Sequence, residues 1–173
     1  MHEAVFPPLI LTVAIPPVEL AFFDGLRQQH FPAARNFLTA HLTLFHALPN
    51  SIAIRERVEE ECKTVAPFAM QVVGPVSLGK GVAFKLESPP LLRIHKRLKD
   101  AWKPLLTPQD SQNIWPHITV QNKVSAAEAL VLLNELKQSF TPFTTQATGL
   151  QLWEYLNGPW KLVSTFPFAN GTN

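Results

Sequence analysis

Two tetrapeptides, His41-Leu42-Thr43-Leu44 and His117-Ile118-Thr119-Val120, put the same chemistry at two places 76 positions apart, 41 to 117. Each alternates polar with apolar residues, the period of a half-buried strand. Residues at i and i+2 of a strand face one side, so each copy presents an imidazole and a hydroxyl together over an apolar floor. An imidazole takes or gives a proton near neutral pH, and two of them facing one cleft divide the work of general base and general acid. The threonine hydroxyls add neutral donors for the non-bridging oxygens of a phosphate. Cleaving a phosphodiester requires one proton taken from the nucleophile and one given to the leaving oxygen. The two pairs meet both needs.

A single His-x-Thr triplet occurs by chance in many chains; two copies in matching places of two halves point to function. The other histidines lack that support. His46 lies five positions after His41 and so falls on the opposite strand face, His95 sits in an apolar helical stripe, and His2 and His30 read as surface groups. Strand parity adds candidate substrate contacts. Phe45 shares the face of His41 and Thr43, to stack on a base or to fill the core. Gln121 and Lys123 share the face of His117 and Thr119, with Lys123 placed to meet a phosphate or water. Trp153 and Tyr155 share one strand face, as a pocket wall or as core.

The elements that must hold these groups alternate. Leu9 to Ile15 reads as a strand ended by Pro16-Pro17, and Pro17 opens a helix through Gln29. The first His/Thr strand runs from His41 to Leu48, and Ser51 caps a helix over Ile52 to Val65. Phe68 to Leu78 and Val82 to Leu86 form a hairpin about Gly79-Lys80-Gly81, and Ser88-Pro89-Pro90 opens a helix to Trp102. After a polar connection, Trp115 to Lys123 carries the second motif, and Ser125 with Glu128 has capping-box spacing for a helix to Phe140. Phe143 to Tyr155 and Trp160 to Phe166 read as two final strands. The order of the first half thus recurs in the second, plus one strand. The expected fold is α+β, duplicated and bilobal, with two mostly antiparallel sheets flanking a central cleft and helices outside. The expected organisation is a single domain over 1–173 with pseudo-two-fold halves at about 1–78 and 79–166 and a short polar tail, 167–173.

Composition narrows the partners. Hydrophobic residues make up 46% and charged residues 16%, a globular balance. A net charge of +2 is too small to hold nucleic acid by bulk electrostatics, so any phosphate contact is local. The basic run Arg93, Lys96, Arg97, Lys99 and Lys103 reads as a solvated helix face. Leu9 to Ile15 lacks the flanks of a signal peptide, and no apolar stretch is long enough to span a membrane. The lone Cys62 reads as a passive thiol and fits a reducing cytosol, so a cytoplasmic location is expected.

The segments His41-Leu-Thr-Leu-Phe45 and Trp115-Pro-His-Ile-Thr-Val120, with the order of elements around them, resemble the 2H phosphoesterases, in particular the 2′-5′ RNA ligase-like branch that includes RNA 2′,3′-cyclic phosphodiesterases. The resemblance implies catalysis without a cofactor on a cyclic or linear ribose phosphodiester. It also implies His41 as acid on the leaving ribose oxygen and His117 as base on water, with Thr43 and Thr119 binding phosphate; symmetry allows the reverse. Where many relatives continue with a Phe-Leu-Gly-like run, this chain reads Phe45-His46-Ala47-Leu48-Pro49, and no phosphate-binding Arg stands beside either motif. A small cyclic nucleotide therefore stands beside an RNA end as the expected partner, with no membrane, no obligate protein partner and a monomeric state. Two rival readings use the same cleft: a non-catalytic module that binds RNA ends or nucleotides, and a structural zinc site joining His41 and His117. The motif holds neither cysteine nor carboxylate, a poor metal-ligand set, and no metal is expected.

Overall fold

The computed structural model describes residues 5–169. His2 and the last four residues of the expected tail lie outside them. Among the described residues eight strands and four α-helices follow one another as β1 (Leu9–Ala14), α1 (Pro17–His30), β2 (Thr43–Leu48), α2 (Ile52–Lys63), β3 (Phe68–Ser77), β4 (Val82–Glu87), α3 (Pro89–Trp102), β5 (His117–Gln121), α4 (Ala126–Ser139), β6 (Phe143–Ala147), β7 (Gly149–Tyr155) and β8 (Trp160–Pro167). They build two four-stranded sheets, ordered β2-β1-β7-β8 and β5-β4-β3-β6, in which every pairing is antiparallel. The α+β, two-sheet architecture read from the sequence is the one observed.

Local chemistry sets the helix ends. Pro17 begins α1 and Pro89 begins α3, where a missing N–H costs nothing. Ser51 Oγ accepts from Ile54 N at 3.3 Å, and Ser125 Oγ accepts from Glu128 N at 3.1 Å. The helices are exchanged between the lobes. α2 packs on β7 and β8, and α4 packs on β3, each backing one sheet. The other two cross over. From α1, Phe23 meets Phe84 of β4 and Phe143 of β6 in the second sheet. From α3, His95 and Trp102 pack on Phe45 of β2 in the first. One continuous apolar core results, containing Leu9, Leu11 and Val13 of β1 together with Phe84, Ile118 and Val120.

One segment differs from its sequence reading. Phe143 to Tyr155 is two strands in different sheets, not one, because the chain leaves β6 at Ala147 and enters β7 at Gly149. A Cβ at Gly149 would collide with the Phe166 carbonyl, so only glycine allows this close passage. The buried positions change phase here, from Thr145 and Ala147 to Leu150 and Leu152, a break in alternation that the single-strand reading passed over. The expected tail is also shorter: β8 runs to Pro167, and Phe168 is buried against Phe68.

Candidate active site

The two motifs occupy equivalent places. Thr43 pairs with Thr12 of β1, and Thr119 pairs with Ala83 of β4, each on the sheet face turned away from the apolar core. His41 precedes β2 by two residues, yet the ladder reaches its neighbour, since Val13 N donates to Leu42 O at 3.0 Å. His117 opens β5 opposite Lys85. All four side chains are partly exposed.

The rings are held alike. His41 Nδ1 lies 2.7 Å from the Thr39 carbonyl, and His117 Nδ1 lies 2.7 Å from the Trp115 carbonyl. A carbonyl only accepts, so in both rings Nδ1 carries the proton and the neutral tautomer leaves its lone pair on Nε2. Among the described residues no hydrogen bond engages either Nε2. Ala40 and Pro116, which place those carbonyls, are both buried. Asp24 Oδ1 accepts from Ala40 N at 3.0 Å, whereas Pro116 has no N–H to satisfy.

Flanking aromatics fix the ring planes. Trp115 stacks on His117 at 3.8 Å and 16°, and Trp160 lies 4.5 Å from His41. A cavity of about 490 Å³ beside His41 is walled by Thr12, Phe37, Gln151, Trp153 and Trp160. Trp153 Nε1 donates to Thr12 Oγ1 at 2.9 Å. This hollow takes in His41 but stops short of His117, which stands beyond it on the other lobe.

The ring of His41 senses that of His117. Burial depresses His41 to about 4; the bond to Thr39 opposes this, and the positive charge of Arg27 and the rings of His46 and His117 add to it. His117 is lowered as well, by burial first, against its bond to Trp115 and with His46 contributing. Arg27 itself is buried, donating from Nε to Leu38 O at 3.1 Å and to Asn36 Oδ1 at 2.9 Å, and from Nη1 to Thr119 O at 3.1 Å. It ties the approach to one motif to the backbone of the other.

The secondary contacts read from parity fare differently. Trp153 lines the cavity. Phe45 does not: it is fully buried, stacked on His95 at 4.7 Å. Gln121 is likewise buried, at 6% exposure. One cause serves both. The β1–β2 register shifts between Leu11 and Thr12, and the β4–β5 register shifts between Val82 and Ala83. Each motif strand thus carries a bulge just after its threonine, and an extra residue inverts parity beyond it. Phe45 and Gln121 turn to the core as a pair. Lys123 falls past the end of β5, exposed, at a left-handed turn with φ 60°. Tyr155 lies further along β7 and faces Val5 to Pro8 in a separate depression.

Several residues escaped the sequence reading. Thr12 is the one polar residue in Leu9–Ala14, which was a usable signal. Trp115, adjoining Pro116 and the motif, was another. Arg27 and Trp160 gave none, because only the tertiary fold brings them here.

Among the described residues no group of three or more His, Cys, Asp or Glu is gathered to hold a metal ion, and no helix is long and apolar enough to cross a membrane. Known structures share the fold. TT0787 of Thermus thermophilus is similar at TM-score 0.69 and 18% identity, over 95% of this chain and 100% of that one. E. coli LigT complexed with 3′-AMP gives 0.62 at 17%, and LigT complexed with NADP+ gives 0.61 at 17%, each over 96% of this chain and 100% of the other. No curated protein matches the chain. The family model described as the 2′-5′ RNA ligase superfamily, the 2H phosphoesterases, matches residues 15–159, and with both His-x-Thr motifs inside that span the chain belongs to this superfamily.

Proposed function

We propose that the chain is a metal-independent phosphodiesterase that opens ribose 2′,3′-cyclic phosphates, on RNA ends or small nucleotides, and that joins RNA ends 2′-5′, reversibly, when a 5′-hydroxyl takes the place of water as the nucleophile. Membership of the superfamily makes it an enzyme of phosphoesterase or ligase type. The matched Nδ1 bonds of His41 and His117 carry the reading, because they leave two Nε2 atoms available for proton transfer.

In the proposed reaction one Nε2 takes a proton from water as the water oxygen bonds to phosphorus. The other, protonated, gives its proton to the ribose oxygen that leaves, and a phosphomonoester results. Thr43 and Thr119 donate to the non-bridging oxygens, where charge rearranges. Trp153 and Trp160 offer aromatic surface to a base. The LigT structures with 3′-AMP and NADP+ show nucleotides bound to that protein, which supports a ligand of this class.

The resemblance made His41 the acid and His117 the base. The deeper depression of His41, with Arg27 behind it, favours the reverse in the unliganded cleft; a phosphate anion between the rings raises both.

His41→Ala and His117→Ala should each lower turnover of a 2′,3′-cyclic nucleotide by about 10²- to 10⁴-fold in chelator, with unchanged circular dichroism. Loss of the acid is partly rescued by a substrate with a good leaving group and loss of the base is not, so the same variants assign the roles. Saturable binding without turnover by the parent protein would instead identify a binding module.

A further inference from the structure

The bulge after Thr43 has a second effect. Parity inverts at Phe45, which is buried, and the next residue, His46, is exposed on the face that carries Thr43, ahead of a second register shift between Leu9 and Leu11. His46 is exposed, and its charge acts on both His41 and His117. It is also anchored. Asp110, 3% exposed, accepts from His46 N at 2.8 Å and Ala47 N at 2.9 Å, and lies 3.2 Å from His46 Nδ1. Asp110 N in turn donates to Thr107 Oγ1 at 3.2 Å. A carboxylate placed in this way accepts from Nδ1–H, which leaves the ring's Nε2 free of that bond. A third imidazole, on the same face as Thr43, is thus held at Nδ1 as His41 and His117 are.

We infer that His46, held by Asp110, is a further substrate-binding residue, donating from Nε2 to a second phosphate on the nucleotide, beyond the phosphate that reacts. The inference rests on the phosphodiesterase reading above. His41, His117 and the two threonines already supply donors for the reacting phosphate. With the bulge absorbing one residue, His46 lies about two two-residue repeats beyond His41, roughly 13 Å along the strand. The two rings are too far apart to share one phosphorus, which suits a separate phosphate for His46. An imidazolium between a buried carboxylate and a phosphate makes charge-assisted bonds on both edges. Such a phosphate comes either from the 5′ position of the same nucleoside or from the preceding link of an oligonucleotide.

Three substrates distinguish the sources: adenosine 2′,3′-cyclic phosphate, its 5′-phosphorylated form, and a diadenosine ending in a 2′,3′-cyclic phosphate. The parent should favour one of the two phosphate-bearing forms by about 10-fold or more in kcat/KM, the worth of a hydrogen bond to a charged group. In His46→Ala that ratio should fall to near 1, and in His46→Gln, which keeps a neutral donor, to an intermediate value. The favoured arm names the source of the phosphate. Equal ratios in parent and variants, or no preference in the parent, overturn the assignment of His46 while leaving the phosphodiesterase reading standing. Absence of turnover on all three by the parent defeats that reading, and this inference with it.

Discussion

His41 and His117 have their Nδ1 protons committed to carbonyls two residues upstream, a local bond that any His two residues after a suitably turned backbone can make. It was not readable from composition, but the His-x-Thr spacing that depends on it was. A buried imidazole shows the contrast. His95 has no aim toward the cleft; it stacks on Phe45, 3% exposed, and burial, helped by Lys99, lowers it to about 4 against Asp110 and the Leu44 carbonyl. Its folded pKa is below the unfolded 6.5, so the unfolded chain binds the extra proton. Stability tied to His95 is therefore present above pH 6.5 and lost as pH falls toward 4, to a ceiling of about 3 kcal/mol. Urea unfolding at pH 7 and pH 4.5 should show a smaller acid loss for His95→Leu than for the parent; equal losses would refute the assignment. The apolar stripe Leu91, Ile94, His95 and Leu98 announced this core role, and all four are buried.

At the scale of elements, strand parity served up to each threonine and misled beyond it. The register shifts at Leu11/Thr12 and Val82/Ala83 have no signature in a row of apolar residues, so Phe45 and Gln121 read as cleft residues and His46 as the opposite. Gly81 marks one of these bulges. A Cβ there would collide with the Gln121 carbonyl and with Asn122. Gly81→Ala should displace the end of β5, lowering stability by about 2 kcal/mol or more and cyclic-nucleotide turnover with it, whereas Gly25→Ala, in the open on α1, should change neither. Chemical denaturation and a turnover assay together check this; an unperturbed Gly81→Ala protein would show that the bulge is dispensable. The Thr148 crossing did leave a local trace, since the buried positions change phase between Ala147 and Leu150.

For the molecule as a whole, the repeat of elements was legible because caps, prolines and periodicity are local, and it led to the two-sheet architecture. The exchange of α1 and α3 was not, because it depends on which sheet each helix reaches. That exchange gives Arg27 its place, with Leu38 O on one side and Thr119 O on the other. Arg27→Met leaves both carbonyls without their partner and should cost about 2–4 kcal/mol. Arg27→Lys keeps the charge but not the planar fork and should recover only part of it. A lysine variant with the parent's urea midpoint would contradict this role.

Everything depends on two imidazoles from two lobes serving one phosphorus. The most direct measurement is an NMR titration of the ring Hε1 signals of His41 and His117 with adenosine 3′-phosphate. Both signals should move along curves with one shared Kd, and neither should move in the presence of adenosine alone. Movement of only one ring, or of both with different midpoints, would contradict a shared site.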